Sequence, residues 1–243
     1  MRKLSFALSL VLLLTLSVGA SPALDKKDTK TLQEAVPVLN ALANAPDKGI
    51  PQELLAKADC ILIFPNVAKG AFIVGGKAGK GVASCRMPDG SMSAPAFYEI
   101  GGASVGFQIG GQTADVVLLI MNEGGVSHLL SDKFTIGGEA TATAGPVGRT
   151  AQASTDAQMH AQILSWSRSQ GLFLGAALDG SVVKPDKEAN ESLYGRPISG
   201  REILVNSKVT TPSQAKSLIQ SITRHMDAAA AHEQAEKSEK SKS

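Results

Sequence analysis

Residues 75–81, "GGKAGKG", place two lysines among four glycines directly after the apolar run "AFIV". That composition suits a loop whose backbone amides and ammonium groups hold a phosphate. A Walker A loop requires G-x-x-x-x-G-K-[ST], with a helix to follow. In "AFIVGGKA", Ala71 stands where the first glycine belongs and Ala78 where the metal-binding hydroxyl belongs. The dinucleotide spacing G-x-G-x-x-G also fails, since residues 76–81 read G-x-x-G-x-G. The continuation "VASCRM" reads as a strand, so the stretch is expected to be a glycine-rich hairpin turn carrying solvated lysines.

Other residue types that could do chemistry are equally poorly set. "GASVG" at 102–106 matches the nucleophile-elbow pattern G-x-S-x-G, and Ser104, Asp115 and His128 stand in a triad order. An elbow needs a strand turning into a helix, whereas "GFQIGGQTADVVLLIM" reads as strand, turn, strand. The four histidines, at 128, 160, 225 and 232, show no H-x-x-x-H pairing. Cys60 and Cys85 are far from C-x-x-C spacing, and Asp179, Asp186 and Glu188 lack the spacing of an EF-hand. No catalytic residue, metal ligand or cofactor is expected, and the chain is not expected to be an enzyme.

The chain opens with Arg2 and Lys3, an apolar run from Leu4 to Val18, and small residues ending at Ala20. These are the three parts of a secretory signal peptide, so residues 1–20 are expected to be removed and the mature protein to be periplasmic or secreted. Without Arg2 and Lys3, 22 basic residues balance 22 acidic ones. A neutral chain has no global field to attract nucleic acid, and any anion binding must be local. Export permits a Cys60–Cys85 disulfide, worth about 3 kcal/mol through loop closure; two buried thiols are the alternative.

The elements that would position these residues follow from periodicity. Leu32, Val36, Leu39 and Leu42 lie at helical spacing over 29–45, with Pro37 expected to kink or split that helix. A short helix after Pro51 is followed by apolar runs such as "CILIFP", "SAPAFYEI" and "TADVVLLIMN", punctuated by glycine pairs that read as turns between antiparallel strands. Residues 124–132 read as a helical turn, and "KPDKEANESLYG" as a surface helix ended by Gly195. A last helix starts with Thr211 as N-cap and Pro212 at its first position. Residues 231–243 carry no apolar periodicity and are expected to be a disordered charged tail. The class is α+β: one domain over 29–226, with a glycine-rich, mostly antiparallel sheet or barrel-like core flanked by N- and C-terminal helices.

Three blocks in order, "ADCILIFPNVAKGAFIVGGKAGKGV", "GGASVGFQIGGQTADVVLLIMN" and "TAGPVGRTAQASTDAQMHAQILSWSRSQGLFLGAALDGSVVKPD", resemble the SYLF domain family, a lipid-binding module. The resemblance runs from about Leu54 to Ile222. It implies binding rather than catalysis: eukaryotic members contact phosphoinositide-containing membranes, and fungal ones are described as actin regulators. It implies here an anionic phospholipid membrane as partner. The lysines beside the glycine turns, Lys69, Lys77 and Lys80, are expected to meet its headgroups, with Arg86 and Lys133 adding to the patch. A structural or protein-interaction module without lipid is the alternative.

Overall fold

The computed structural model describes residues 24–43, 49–71, 75–104, 112–146, 160–169, 172–175 and 178–240. The expected signal peptide lies outside them. Helices α1 (Lys26–Ala43) and α2 (Gln52–Lys57) precede strands β1 (Cys60–Ala71), β2 (Gly75–Cys85), β3 (Ala96–Ser104) and β4 (Gln112–Ile120). Helix α3 (Glu123–Leu129) leads to β5 (Phe134–Thr135), β6 (Ala142–Ala144), β7 (Ile163–Ser169), β8 (Leu172–Gly175) and β9 (Val182–Pro185). Helices α4 (Lys187–Tyr194), α5 (Gly200–Leu204) and α6 (Lys216–Lys240) complete the chain.

The strands form one curled sheet in the order β5-β9-β3-β2-β1-β4-β7-β6, with β8 also pairing β7. Among the described strands, only β6 and β7 pair in parallel. The α+β class and the terminal helices are as the sequence leads one to expect. The central strands are apolar on consecutive residues because both faces of the sheet are covered. Ile61, Ile63, Val117 and Leu119 pack with α1, α2 and α6. Leu62, Phe64, Val116 and Leu118 pack on the other face with Leu129, Ile203 and Leu204.

Four features differ from the sequence reading. Pro37 does not split the first helix but sits inside a continuous α1, where burial of Leu32, Ala35, Leu39 and Leu42 outweighs the roughly 3 kcal/mol that an interior proline costs. The glycines of 75–81 lie within strand β2, not in a turn. The C-terminal segment enters through a 3-10 turn at Ser213–Ala215 rather than a Thr211-capped helix. Residues 231–240, expected to be disordered, continue α6, consistent with the high helix propensity of their Ala, Glu, Gln and Lys residues.

The glycines of β2 answer to a bulge. The register of β1 shifts between Ile63 and Ala68 against β2 and between Phe64 and Val67 against β4. Asn66 takes φ 51° there, and the bulge accommodates Pro65 within the strand. The bulged backbone crosses close over β2: a Cβ at Gly81 would lie 2.4 Å from the Ile63 carbonyl oxygen.

Candidate functional site: a lysine pair on the sheet

Strand register decides which lysines can act together. Lys69 of β1 is the direct partner of Lys77 of β2. Lys77 in turn faces Gly102 of β3, and Lys69 faces Gln112 of β4. Alternation places Lys69 on the face of Val67, and Lys77 on that of Gly79, Gly81 and Ala83. Both lysines are half-buried, and among the described residues neither is in an ion pair. The Lys77 stem lies across Gly102: a Cβ there would be 3.4 Å from Lys77 Cε and 3.0 Å from the Gly180 carbonyl oxygen. Burial lowers the Lys77 pKa below the ordinary lysine value, and the Lys69 charge lowers it further. Asp179 opposes both in part.

Lys80 does not join this pair. It lies three positions beyond Lys77, so the strand's two-residue period turns it to the α1 face. Its ammonium stands 2.8 Å from Asp28 Oδ1 and 2.7 Å from Asp186 Oδ2, both carboxylates being buried. These partners hold its pKa well above the usual lysine range, overcoming the effect of desolvation. Beside it the register runs Lys80–Glu99–Lys184, and Lys184 Nζ is 2.8 Å from Glu99 Oε2. Lysines on this face are neutralised by acids, whereas Lys69 and Lys77 face each other.

Arg86 and Lys133 lie elsewhere. Arg86 follows the far end of β2, where its Nη2 donates to the Ala56 carbonyl at 3.3 Å. It lines a groove of about 720 Å³ together with the Cys60–Cys85 bond, Glu123 and Arg201. Lys133 is exposed beside edge strand β5, which β9 and β3 separate from β2. The five cations of the sequence reading therefore form one pair and three separate positions. Cys60 and Cys85 form a disulfide between register partners, with Cα atoms 3.9 Å apart.

In the Ser104–Asp115–His128 order, Asp115 is engaged with other partners. Asp115 accepts from Arg168 Nε at 2.8 Å and from the Asn66 amide at 3.0 Å, which ties the bulge to β7. Sequence reasoning missed Asp28 and Asp186 as partners of Lys80, and Asn190 as the clamp of α4 on the sheet. Asn190 Oδ1 accepts from the Phe97 amide at 2.7 Å, and its Nδ2 donates to the Phe97 carbonyl at 3.1 Å. The Asp186 signal was readable, because its other oxygen accepts from the Ala189 amide at 3.0 Å as the N-cap of α4.

A family model described as Ysc84, Las17-binding protein actin regulator, matches residues 101–225. The human SH3 domain-containing YSC84-like protein 1 is 34% identical over 194 residues, covering 79% of this chain and 56% of the relative. An SH3 domain-containing protein of Schizosaccharomyces pombe is 35% identical over 172 residues, covering 70% and 40%. Protein YSC84 of Saccharomyces cerevisiae is 33% identical over 176 residues, covering 71% and 37%. The chain spans about half the length of the mammalian relatives it matches, and less of the fungal ones. On the strength of these matches, the chain belongs to the Ysc84 (SYLF) domain family.

Proposed function

We propose that this chain is an exported module that contacts anionic phospholipid headgroups at a membrane surface through Lys69 and Lys77. The observation that carries this reading is the cross-strand pairing of two lysines with no carboxylate bound to either among the described residues. Like charges directly opposed on a sheet are destabilising, and an anion lying across both relieves that repulsion. A cation near an anionic surface contributes about 1 kcal/mol, so the pair alone supports weak, salt-sensitive attachment. Export rests on the signal-peptide pattern of residues 1–20.

Sedimentation with phosphatidylglycerol vesicles, comparing the wild type with the Lys69→Ala/Lys77→Ala variant, tests the site. Loss of pelleting in the variant is expected. Equal pelleting of both would overturn the site, and no pelleting of the wild type on any anionic vesicle would overturn the membrane reading. A protein-binding module is the second reading, favoured by the actin-regulator description of the family model and by the SH3 domains in the names of the relatives. Co-sedimentation with actin filaments, unaffected by vesicles, is its signature.

A further inference from the structure

The Lys77 amine differs from the other sheet lysines in what surrounds it. Lys80 and Lys184 end against carboxylates, while Lys77 is the cross-strand register partner of a second lysine, with its stem laid over Gly102. A Cβ at Gly102 would lie 3.0 Å from the Gly180 carbonyl oxygen and 3.2 Å from Ser181 Cα, tighter than ordinary packing, so the glycine eases the path of the lysine stem. Among the described residues, two charged groups act on the amine: Lys69 from β1, and Asp179 from the turn before β9.

We infer that Lys77 is a nucleophilic amine and that this sheet position is a modification site at which the protein takes up small aldehydes as imines. The inference goes beyond headgroup contact and needs no lipid. A lysine amine attacks only in its neutral form, and burial or an adjacent cation enriches that form. Both conditions hold at Lys77, whose pKa is displaced downward by them in that order. The neutral Nζ donates its lone pair to the aldehyde carbon, and the carbonyl π pair moves to oxygen. Oxygen gains a proton and nitrogen loses one, giving a carbinolamine, which expels water as the C=N bond forms. No oxidant or reductant is consumed.

The test treats the full chain with a limiting amount of benzaldehyde and cyanoborohydride at neutral pH, whose hydride traps the imine as a secondary amine. Peptide mass spectrometry then ranks the lysines. Lys77 is expected to label severalfold faster than the exposed Lys27 and Lys133. Lys69→Met should lower the Lys77 rate severalfold, and Lys69→Arg, which keeps the charge, should preserve it. Circular dichroism establishes that the variants are folded. Labelling of Lys77 no faster than that of Lys27 and Lys133 would overturn the inference in the wild type alone, without dependence on any variant. An unchanged Lys77 rate in folded Lys69→Met would overturn the part assigned to Lys69. Benzaldehyde carries no phosphate, so neither result depends on vesicle binding, and failure of vesicle binding leaves this prediction standing.

Discussion

Lys80 Nζ stands 2.8 Å from Asp28 Oδ1, a contact that fastens the first turn of α1 to the middle of the sheet. The same ammonium reaches Asp186, which caps α4. One cation thus joins three elements distant in sequence. Lys80→Met strands two buried carboxylates and should cost about 3 kcal/mol, the lower end of the range for breaking a buried pair. Urea unfolding measures the loss, and hydrogen exchange should show the first turn of α1 opening earlier. A midpoint equal to that of the wild type would rule this role out. Because the folded pKa of Lys80 is raised, its stabilisation is complete below the ordinary lysine pKa and is lost only as pH rises through the higher folded value.

Gly81 carries a second prediction. A Cβ at this position would meet Phe64 Cδ1 at 2.4 Å as well as the Ile63 carbonyl oxygen, and both belong to the bulge edge of β1, which the sheet fixes on two sides. Gly81→Ala should therefore destabilise by about 2 to 3 kcal/mol, the upper part of the overpacking range. Gly90→Ala tests a different cost, because a Cβ there meets nothing within 4 Å but the residue has φ +85°; its loss should be the smaller. The two urea midpoints, measured together, separate a clash from a backbone preference.

How much of this was readable depends on whether the determining contact is local. The strands of the sheet are written as apolar runs, and the helix faces as Leu32, Leu39 and Leu42 or Leu218 and Ile222. The split of Lys77 from Lys80 was also present, since an offset of three reverses the face of a strand. What the sequence did not display is what meets Lys80: Asp28 and Asp186 lie 52 and 106 positions away. The glycines were misread as turn formers because their cause, the bulge at Pro65–Asn66, lies on the neighbouring strand. Composition likewise misread 231–240, where polar residues satisfy a helix that needs no apolar face beyond Ala229.

His225 gives the acid side of the stability curve. Its Nε2 lies 2.9 Å from Asn40 Oδ1, which also accepts from the Ser221 hydroxyl at 2.9 Å, joining α6 to α1. Burial lowers the histidine pKa below 6.5, and Arg224 adds to the effect. The unfolded chain then binds more protons than the folded one between the two pKa values, so stability rises with pH through that interval and falls on acidification. His225→Gln should flatten this part of the profile. Urea midpoints measured across the interval for both proteins check it, and parallel profiles would exclude His225 as the cause.

The Cys60–Cys85 bond joins two residues that the sheet already holds opposite each other. Its effect should consequently fall on the unfolded chain more than on the shape of the folded one. Closing a loop between residues 25 positions apart contributes about 3 kcal/mol in the chain-entropy model. The Cys60→Ala/Cys85→Ala variant should lose about that amount while keeping the far-ultraviolet circular dichroism of the wild type. Both cysteines are buried, so part of any loss in the variant comes from missing sulfur atoms in the core. Unfolding the wild type with and without a thiol reductant removes the bond and leaves the sulfurs in place. If the reduced wild type loses as much as the variant, the loop constraint dominates; if it loses nothing, the stabilisation belongs to packing.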